Sequence, residues 1–305
     1  MAESVVSVEA LTKRYGELVA VDQISFQIPQ GEVFGLLGPN GAGKTSTLEC
    51  LEGLRTPDGG SLRILDVDPV RQGHKLRDLI GVQLQSASLP ENIRVDEVMR
   101  LFCAYHGVAP RYDLIERMNL SPKAHAQYHE LSAGQQRRLA LALAVAHDPP
   151  VLFLDEPTAG LDVPARVELH ALIRELQAGE TTIILATHDM AEAEELADRV
   201  AILLRGRIAA IGSPLELTAT GAGLTKISVR TQNGSLADPA IQFPATRQAL
   251  VKGEYAIYYS GDTAPTVAAI LAHLEAVGDP LLDLRVERPS LEDRFLEIVN
   301  EGATA

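Results

Sequence analysis

Residues 38–46 read Gly-Pro-Asn-Gly-Ala-Gly-Lys-Thr-Ser and fit G-x-x-x-x-G-K-[ST] at every fixed position. That spacing makes a polyphosphate cradle. Gly38, Gly41 and Gly43, with Pro39, Asn40 and Ala42 between them, let the backbone turn its N–H groups inward. A helix opening on the last glycine adds partial positive charge. Lys44 is placed to reach the β- and γ-phosphates, Thr45 offers a hydroxyl to Mg²⁺, and Ser46 completes the loop. Further along, four apolar residues, Val151, Leu152, Phe153 and Leu154, deliver Asp155 and Glu156. An acidic pair ending a strand is, by itself, a helix cap or a solvated turn. Beside a phosphate loop it has a chemical use, with Asp155 holding Mg²⁺ through water while Glu156 orients and deprotonates the attacking water. His188 ends a third apolar run, residues 181–187, where it can bond the γ-phosphate and that water. Tyr15 has a ring that can stack on a purine. Gln85 ends the short run 79–85 and taken alone is a loop residue.

A second anion site is legible in Leu131, Ser132, Ala133, Gly134 and Gln135, a hydroxyl and backbone N–H groups at the start of a long helix. Alone, the pentapeptide is an ordinary helix start. If the two phosphate sites lie far apart in one chain, a head-to-tail dimer would bring each helix start to the other chain's nucleotide.

Positioning these groups requires short buried strands that end where they stand. Residues 32–38 read as such a strand and residues 44–51 as the helix after the loop, the context the motif needs. Residues 5–9 and 19–28 alternate like half-buried antiparallel strands, with a turn at residues 13–16 presenting Tyr15. A turn at residues 56–60 precedes a strand at 61–65. From about residue 86 to 147 the pattern is helical: Val95, Val98, Met99 and Phe102 share one face, Ser121-Pro122 looks like a capped helix start, and residues 136–146 form a strong helix stopped by Asp148-Pro149-Pro150. The strand at 151–154, a helix near 165–177 and the strand at 181–187 make a βαβ unit. Chemical groups thus recur at carboxyl ends of apolar strands, where open α/β sheets bind ligands. Residues 200–211 read as a hairpin. Beyond a Gly-bearing linker at 220–223, strands at 226–230 and 255–259 flank a loop-rich stretch. A helix carrying Val267, Ile270, Leu271 and Leu274 follows, then a last strand at 281–286 and a final helix opened by a capping box at Ser290 and Asp293. The fold class is therefore α/β, a P-loop NTPase core with an antiparallel β subdomain and a helical subdomain (about 86–147) within residues 1–219. Residues 220–305 form a small C-terminal α+β accessory domain.

With 305 residues, 46% of them apolar, the chain has length for two globular domains. A formal charge of -14 argues against a nucleic-acid partner, because phosphate neutralisation needs excess Lys and Arg. Two cysteines, Cys50 and Cys103, give neither a disulfide framework nor metal-ligand spacing and fit a reducing cytoplasm. The N-terminal residues lack the pattern of a secretory signal, and the most apolar stretch, residues 139–146, is too short to span a bilayer. Any membrane role must come from a partner.

Taken together, residues 38–46, Gln85, residues 131–135, residues 151–156, residues 159–162 (Ala-Gly-Leu-Asp) and His188 resemble, in order and spacing, the nucleotide-binding subunit of ATP-binding-cassette transporters. The resemblance spans residues 4 to about 215. It implies ATP and Mg²⁺ as ligands, Tyr15 as the adenine-stacking ring, and Gln85 as the residue joining the metal site to a transmembrane partner. It also implies Ser132 and Gly134, with Gln135, as contacts made across a dimer, and Asp162 as a further cross-dimer contact. Two cassettes would close around two ATP molecules and drive a separate permease, holding the subunit at the inner face of the cell membrane. One departure stands out, Ala133 where the family's commonest form has glycine, a small change that leaves room for weaker cross-dimer contacts and does not imply loss of function. Residues 288–299 look like the ending of cassettes of the type-2 exporter group, which includes drug and antibiotic resistance pumps. An ATPase acting as a nucleotide-dependent regulator, without a transporter, is the alternative.

Overall fold

The computed structural model describes residues 4–84, 89–220, 224–287 and 290–303, with the backbone alone at 219–220 and 300–303. The chain divides into two compact units, Met1–Pro214 and Leu215–Ala305.

The first unit begins with β1 (Ser4–Tyr15) and β2 (Leu18–Pro29), an antiparallel pair whose alternating residues Val6, Val8, Leu11 and Val21 are buried. The turn expected at residues 13–16 is shorter and later. Lys13, Arg14 and Tyr15 stay in β1, with Tyr15 opposite Leu18, so only Gly16 and Glu17 turn. Asp58 holds this end of the strand, accepting from Arg14 N at 2.7 Å and pairing with Lys13 Nζ at 3.1 Å. Next come β3 (Val33–Leu37), α1 (Lys44–Leu51), β4 (Gly59–Ile64), α2 (Gly73–Leu76) and β5 (Ile80–Gln83). β4 joins the first pair in a three-stranded sheet ordered β2-β1-β4.

The helical stretch holds α3 (Val95–Tyr105), α4 (Tyr112–Arg117) and α5 (Ala133–Ala144), with α3 and α4 against α5 and α5 against β5. Ser121–Lys123 is a single 3₁₀ turn and not the start of a longer helix. The chain then alternates through β6 (Val151–Asp155), α6 (Val163–Ala178), β7 (Thr182–Thr187), α7 (Met190–Leu196), β8 (Arg199–Leu204) and β9 (Arg207–Gly212). The six-stranded sheet runs β5-β6-β7-β3-β8-β9, parallel except for β9, which returns on β8 as a hairpin. Its central strands are covered on both faces, which explains why β3, β6 and β7 read as unbroken apolar runs: every residue of each is buried.

α1 lies between the two sheets, touching β2 and β4 on one side and β6 and β7 on the other. Leu48 and Leu51 are completely buried in the cluster that joins those layers. Burial of each such leucine stabilises the unit by about 1.5–3 kcal/mol, so the helix following the phosphate loop is fixed from both sides.

The helix α8 (Pro214–Thr220) precedes the second unit's elements, β10 (Thr225–Thr231), β11 (Thr246–Lys252), β12 (Tyr255–Ser260), α9 (Thr263–Val277), β13 (Leu281–Glu287) and α10 (Leu291–Ala303). Its antiparallel sheet is ordered β11-β12-β10-β13, with Ile227, Val229, Tyr258, Ile270 and Leu274 in the core. β11 falls within the stretch that sequence alone leaves as loop. The capping box that opens α10 is present, Asp293 Oδ2 accepting from Ser290 N at 2.9 Å and Ser290 Oγ accepting from Asp293 N at 3.2 Å. Among the described residues no helix is long and apolar enough to cross a membrane.

Candidate functional site

The register of the parallel sheet brings the chemistry to one end. Leu37 of β3 stands beside Thr187 of β7, and Asp155 of β6 beside Ala186. The loop after β3, the carboxylates after β6 and His188 after β7 therefore emerge from neighbouring strands at their carboxyl ends.

Within the loop, steric demand explains the glycines. A Cβ at Gly43 would lie 2.4 Å from the Ala20 carbonyl oxygen, and the residue has φ +103°. A Cβ at Gly38 would lie 2.4 Å from the Leu203 oxygen. β2 and β8 thus press against the loop from outside. Lys44 is 6% exposed, and its Nζ donates to the carbonyls of Gly38 at 2.7 Å and Pro39 at 3.3 Å. Burial lowers its pKa, against the pull of Glu156 and Asp155.

Thr45 Oγ1 donates to Asp155 Oδ2 at 3.1 Å. The other carboxylate oxygen, Asp155 Oδ1, is buried and has no hydrogen-bond partner. Burial first, and then the charge of Glu156, raises the Asp155 pKa above the ordinary carboxylate range. A hydroxyl beside a buried carboxylate with an unfilled oxygen suits a hard divalent cation such as Mg²⁺, which takes one or two protein ligands together with phosphate and water. Thr45 and Asp155 are the groups here that fit such an ion. Gln85, expected as a third ligand, lies outside the described residues.

Glu156 has φ +51°, uncommon for a residue with a side chain. Its N–H donates to the Ala186 carbonyl at 2.8 Å, which ties the strained residue to β7. The carboxylate is 7% exposed and hydrogen-bonds through Oε2 to His188 Nδ1 at 2.6 Å. This pair can position a water and share its proton.

Tyr15, Lys44, Thr45, Ser46 and Glu156 line one cleft of about 620 Å³. The Tyr15 hydroxyl lies 3.3 Å from Ser46 Oγ, and the residue is exposed. Asn40, Gly41, Ala42 and Gly43 line the same cleft.

Ser132, Gly134, Gln135 and Asp162 do not line it. Ser132 caps α5, its Oγ accepting from Gln135 N at 3.3 Å while Gln135 Oε1 accepts from Ser132 N at 2.9 Å. Asp162 caps α6, accepting from Ala165 N at 3.0 Å. Gly134 lies near Gly160 and Leu161, so these residues gather into a second cluster.

Two arginines escaped sequence reasoning. Arg137 of α5 reaches the Asp155 carbonyl at 3.1 Å and the Ala159 carbonyl at 3.4 Å, linking the two clusters. Arg205, in the β8–β9 turn, lines the cleft. Neither position has a motif signal, since Arg137 reads as a polar helical residue and Arg205 as part of a hairpin turn.

Comparison with known proteins gives the family. The family model described as "ABC transporter" matches residues 21–159. The chain is 37% identical over 303 residues to a Nod factor export ATP-binding protein I of Ralstonia nicotianae, covering 96% of this chain and 93% of that protein. It is 32% identical to a daunorubicin resistance ATP-binding protein of Streptomyces coeruleorubidus, covering 99% and 98%. A solved structure of an ATP binding subunit of an ABC transporter superposes with TM-score 0.67 at 26% identity, covering 70% of this chain and 92% of that one.

Proposed function

The chain belongs to the ABC transporter family, and from that premise we propose that it is the ATP-hydrolysing subunit of an exporter, powering efflux of a drug- or lipid-like substrate through a separate membrane subunit. The observation that carries the reading is the convergence of Lys44, the Thr45–Asp155 pair and the Glu156–His188 pair at the carboxyl ends of three adjacent strands.

In this reading Tyr15 stacks on adenine, the loop N–H groups and Lys44 hold the β- and γ-phosphates, and Thr45 and Asp155 hold Mg²⁺. Bound magnesium would neutralise charge that develops between the β- and γ-phosphates. Glu156 orients water for in-line attack on the γ-phosphate and takes its proton. His188 fixes the carboxylate through the 2.6 Å bond and presents its other ring nitrogen to the phosphate. Ser132, Gly134, Gln135 and Asp162 act in a head-to-tail dimer, each set completing the partner's nucleotide site, and their position outside the cleft supports that role. Gln85 senses the membrane subunit, which holds the protein at the inner face of the cell membrane. The export direction is drawn from the names of the relatives.

Glu156→Gln is expected to bind ATP normally, to lower turnover by about 100-fold or more, and to accumulate an ATP-bound dimer in size-exclusion chromatography. Undiminished turnover would remove Glu156 from the mechanism. Wild-type protein should co-purify with a multi-span membrane subunit. Recovery in the soluble fraction without one, under native expression, would favour a nucleotide-dependent regulator.

A further inference from the structure

The β8–β9 hairpin turns through two residues, Arg205 and Gly206, between the paired positions Leu204 and Arg207. Both have positive φ, +50° and +79°. Such turns favour Asn, Asp or Gly at the first position, because a branched or long side chain is strained there. Arginine breaks that local preference, and breaks of this kind that persist in a well-packed region gather at functional sites.

The turn is also held firmly. Gly206 N donates to the Ala42 carbonyl of the phosphate loop at 3.1 Å, and the Gly206 carbonyl accepts from Asp22 N of β2 at 2.8 Å. A Cβ at Gly206 would lie 2.8 Å from the Ala20 oxygen, so backbone meets backbone there. The next arginine, Arg207, is paired with Asp22 at 2.7 Å. Arg205 has no ion pair among the described residues and lines the same cleft as Tyr15 and Lys44.

We infer that Arg205 is a nucleotide-contact residue whose guanidinium binds the α- and β-phosphate region between the Tyr15 ring and Lys44. Its anchors set that position. Ala42 lies in the middle of the loop, and Ala20 lies on β2 just past the turn from Tyr15, whereas Glu156 and His188, assigned to the γ-phosphate, follow β6 and β7. Arg205 is exposed, its backbone is held by the Gly206 bonds, and an arginine lining the cleft with no ion pair among the described residues suits an anionic oxygen brought by a ligand. The inference rests on the cleft being a nucleotide site.

Arg205→Asn separates binding from folding, because asparagine suits the left-handed conformation. The variant should melt no lower than wild type. By isothermal titration its Kd for ATP and for ADP should rise together, by about 5- to 20-fold, with the difference shrinking at high salt. Arg205→Lys should recover most of the affinity. Should Arg205→Asn melt lower, Arg205→Gly serves the same comparison. Unchanged affinity for both nucleotides, or loss for ATP alone, would overturn the inference. Lys44→Ala measured alongside tells the two failures apart. If Lys44→Ala loses ATP while Arg205→Asn keeps it, only the Arg205 inference fails. If both bind like wild type, the nucleotide reading of the cleft fails as well.

Discussion

Gly43 and Gly134 both stand at helix starts that the sequence marks as anion sites, yet the fold treats them differently. At Gly43 a Cβ would lie 2.4 Å from a backbone oxygen, while at Gly134 the nearest atom outside its own helix is Leu161 Cδ2 at 3.7 Å. The first glycine is demanded by the chain's own packing. The second is demanded by nothing among the described residues, which fits a residue kept small for a surface that comes from outside. The surroundings agree: Lys44 and Glu156 are buried in the first region, whereas Ser132 in the second is exposed and caps its own helix.

The largest test of this contrast is Gly43→Ala. Strain and the clash with Ala20 should cost about 2–5 kcal/mol of stability and weaken ATP binding by at least about 100-fold, read by thermal melting and titration. A stable variant that binds ATP would erase the contrast from one side.

A middle-sized test uses the far end of α1. If α1 is held as rigidly as Gly43 implies, Glu52, its 7% exposed C-cap, should keep its proton at neutral pH. Burial raises its pKa from 4.5 to about 8, helped by Asp155 and Glu49. A raised folded-state pKa contributes stability that is full below about pH 4.5 and is lost as pH rises through about 8. Wild type should therefore lose stability across that window, by about 2–4 kcal/mol, while Glu52→Gln should not. Parallel pH profiles for the two proteins in denaturant titrations would show that the helix end is loose.

The smallest effect is expected at Gly134→Ala. A helical alanine should raise stability by about 0.5 kcal/mol and leave ATP binding by the free chain unchanged, yet lower turnover about 10-fold. Full turnover in the more stable variant would show that the small residue serves nothing outside the chain.

Residues 38–46 were legible because their glycines answer a steric demand that recurs wherever a loop wraps phosphate, and the apolar runs of β3, β6 and β7 were legible because a parallel sheet is buried on both faces. β11 was not, since all of its residues are exposed or half-buried and Thr-Arg-Gln-Ala-Leu-Val-Lys shows no clean alternation. The same holds for α7. It is only seven residues long, too short for apolar periodicity to show, although the Asp189 cap and the helix-forming Met-Ala-Glu-Ala-Glu-Glu-Leu run were local signals for it. Arg205 was hidden because hairpin turns are recognised by their glycine, and nothing in the sequence tells which strand the turn will press against.

Lys44 is held by the carbonyls of Gly38 and Pro39. A free lysine side chain carries about 2 kcal/mol of rotamer entropy, and folding has already removed most of it here. A phosphate meeting this ammonium need not immobilise it, only turn it a short way from one oxygen to another. The loop thus behaves as a mould set before the casting, and nucleotide exchange at this end of the cleft is expected to be limited by diffusion and release, with no ordering step of the loop in between.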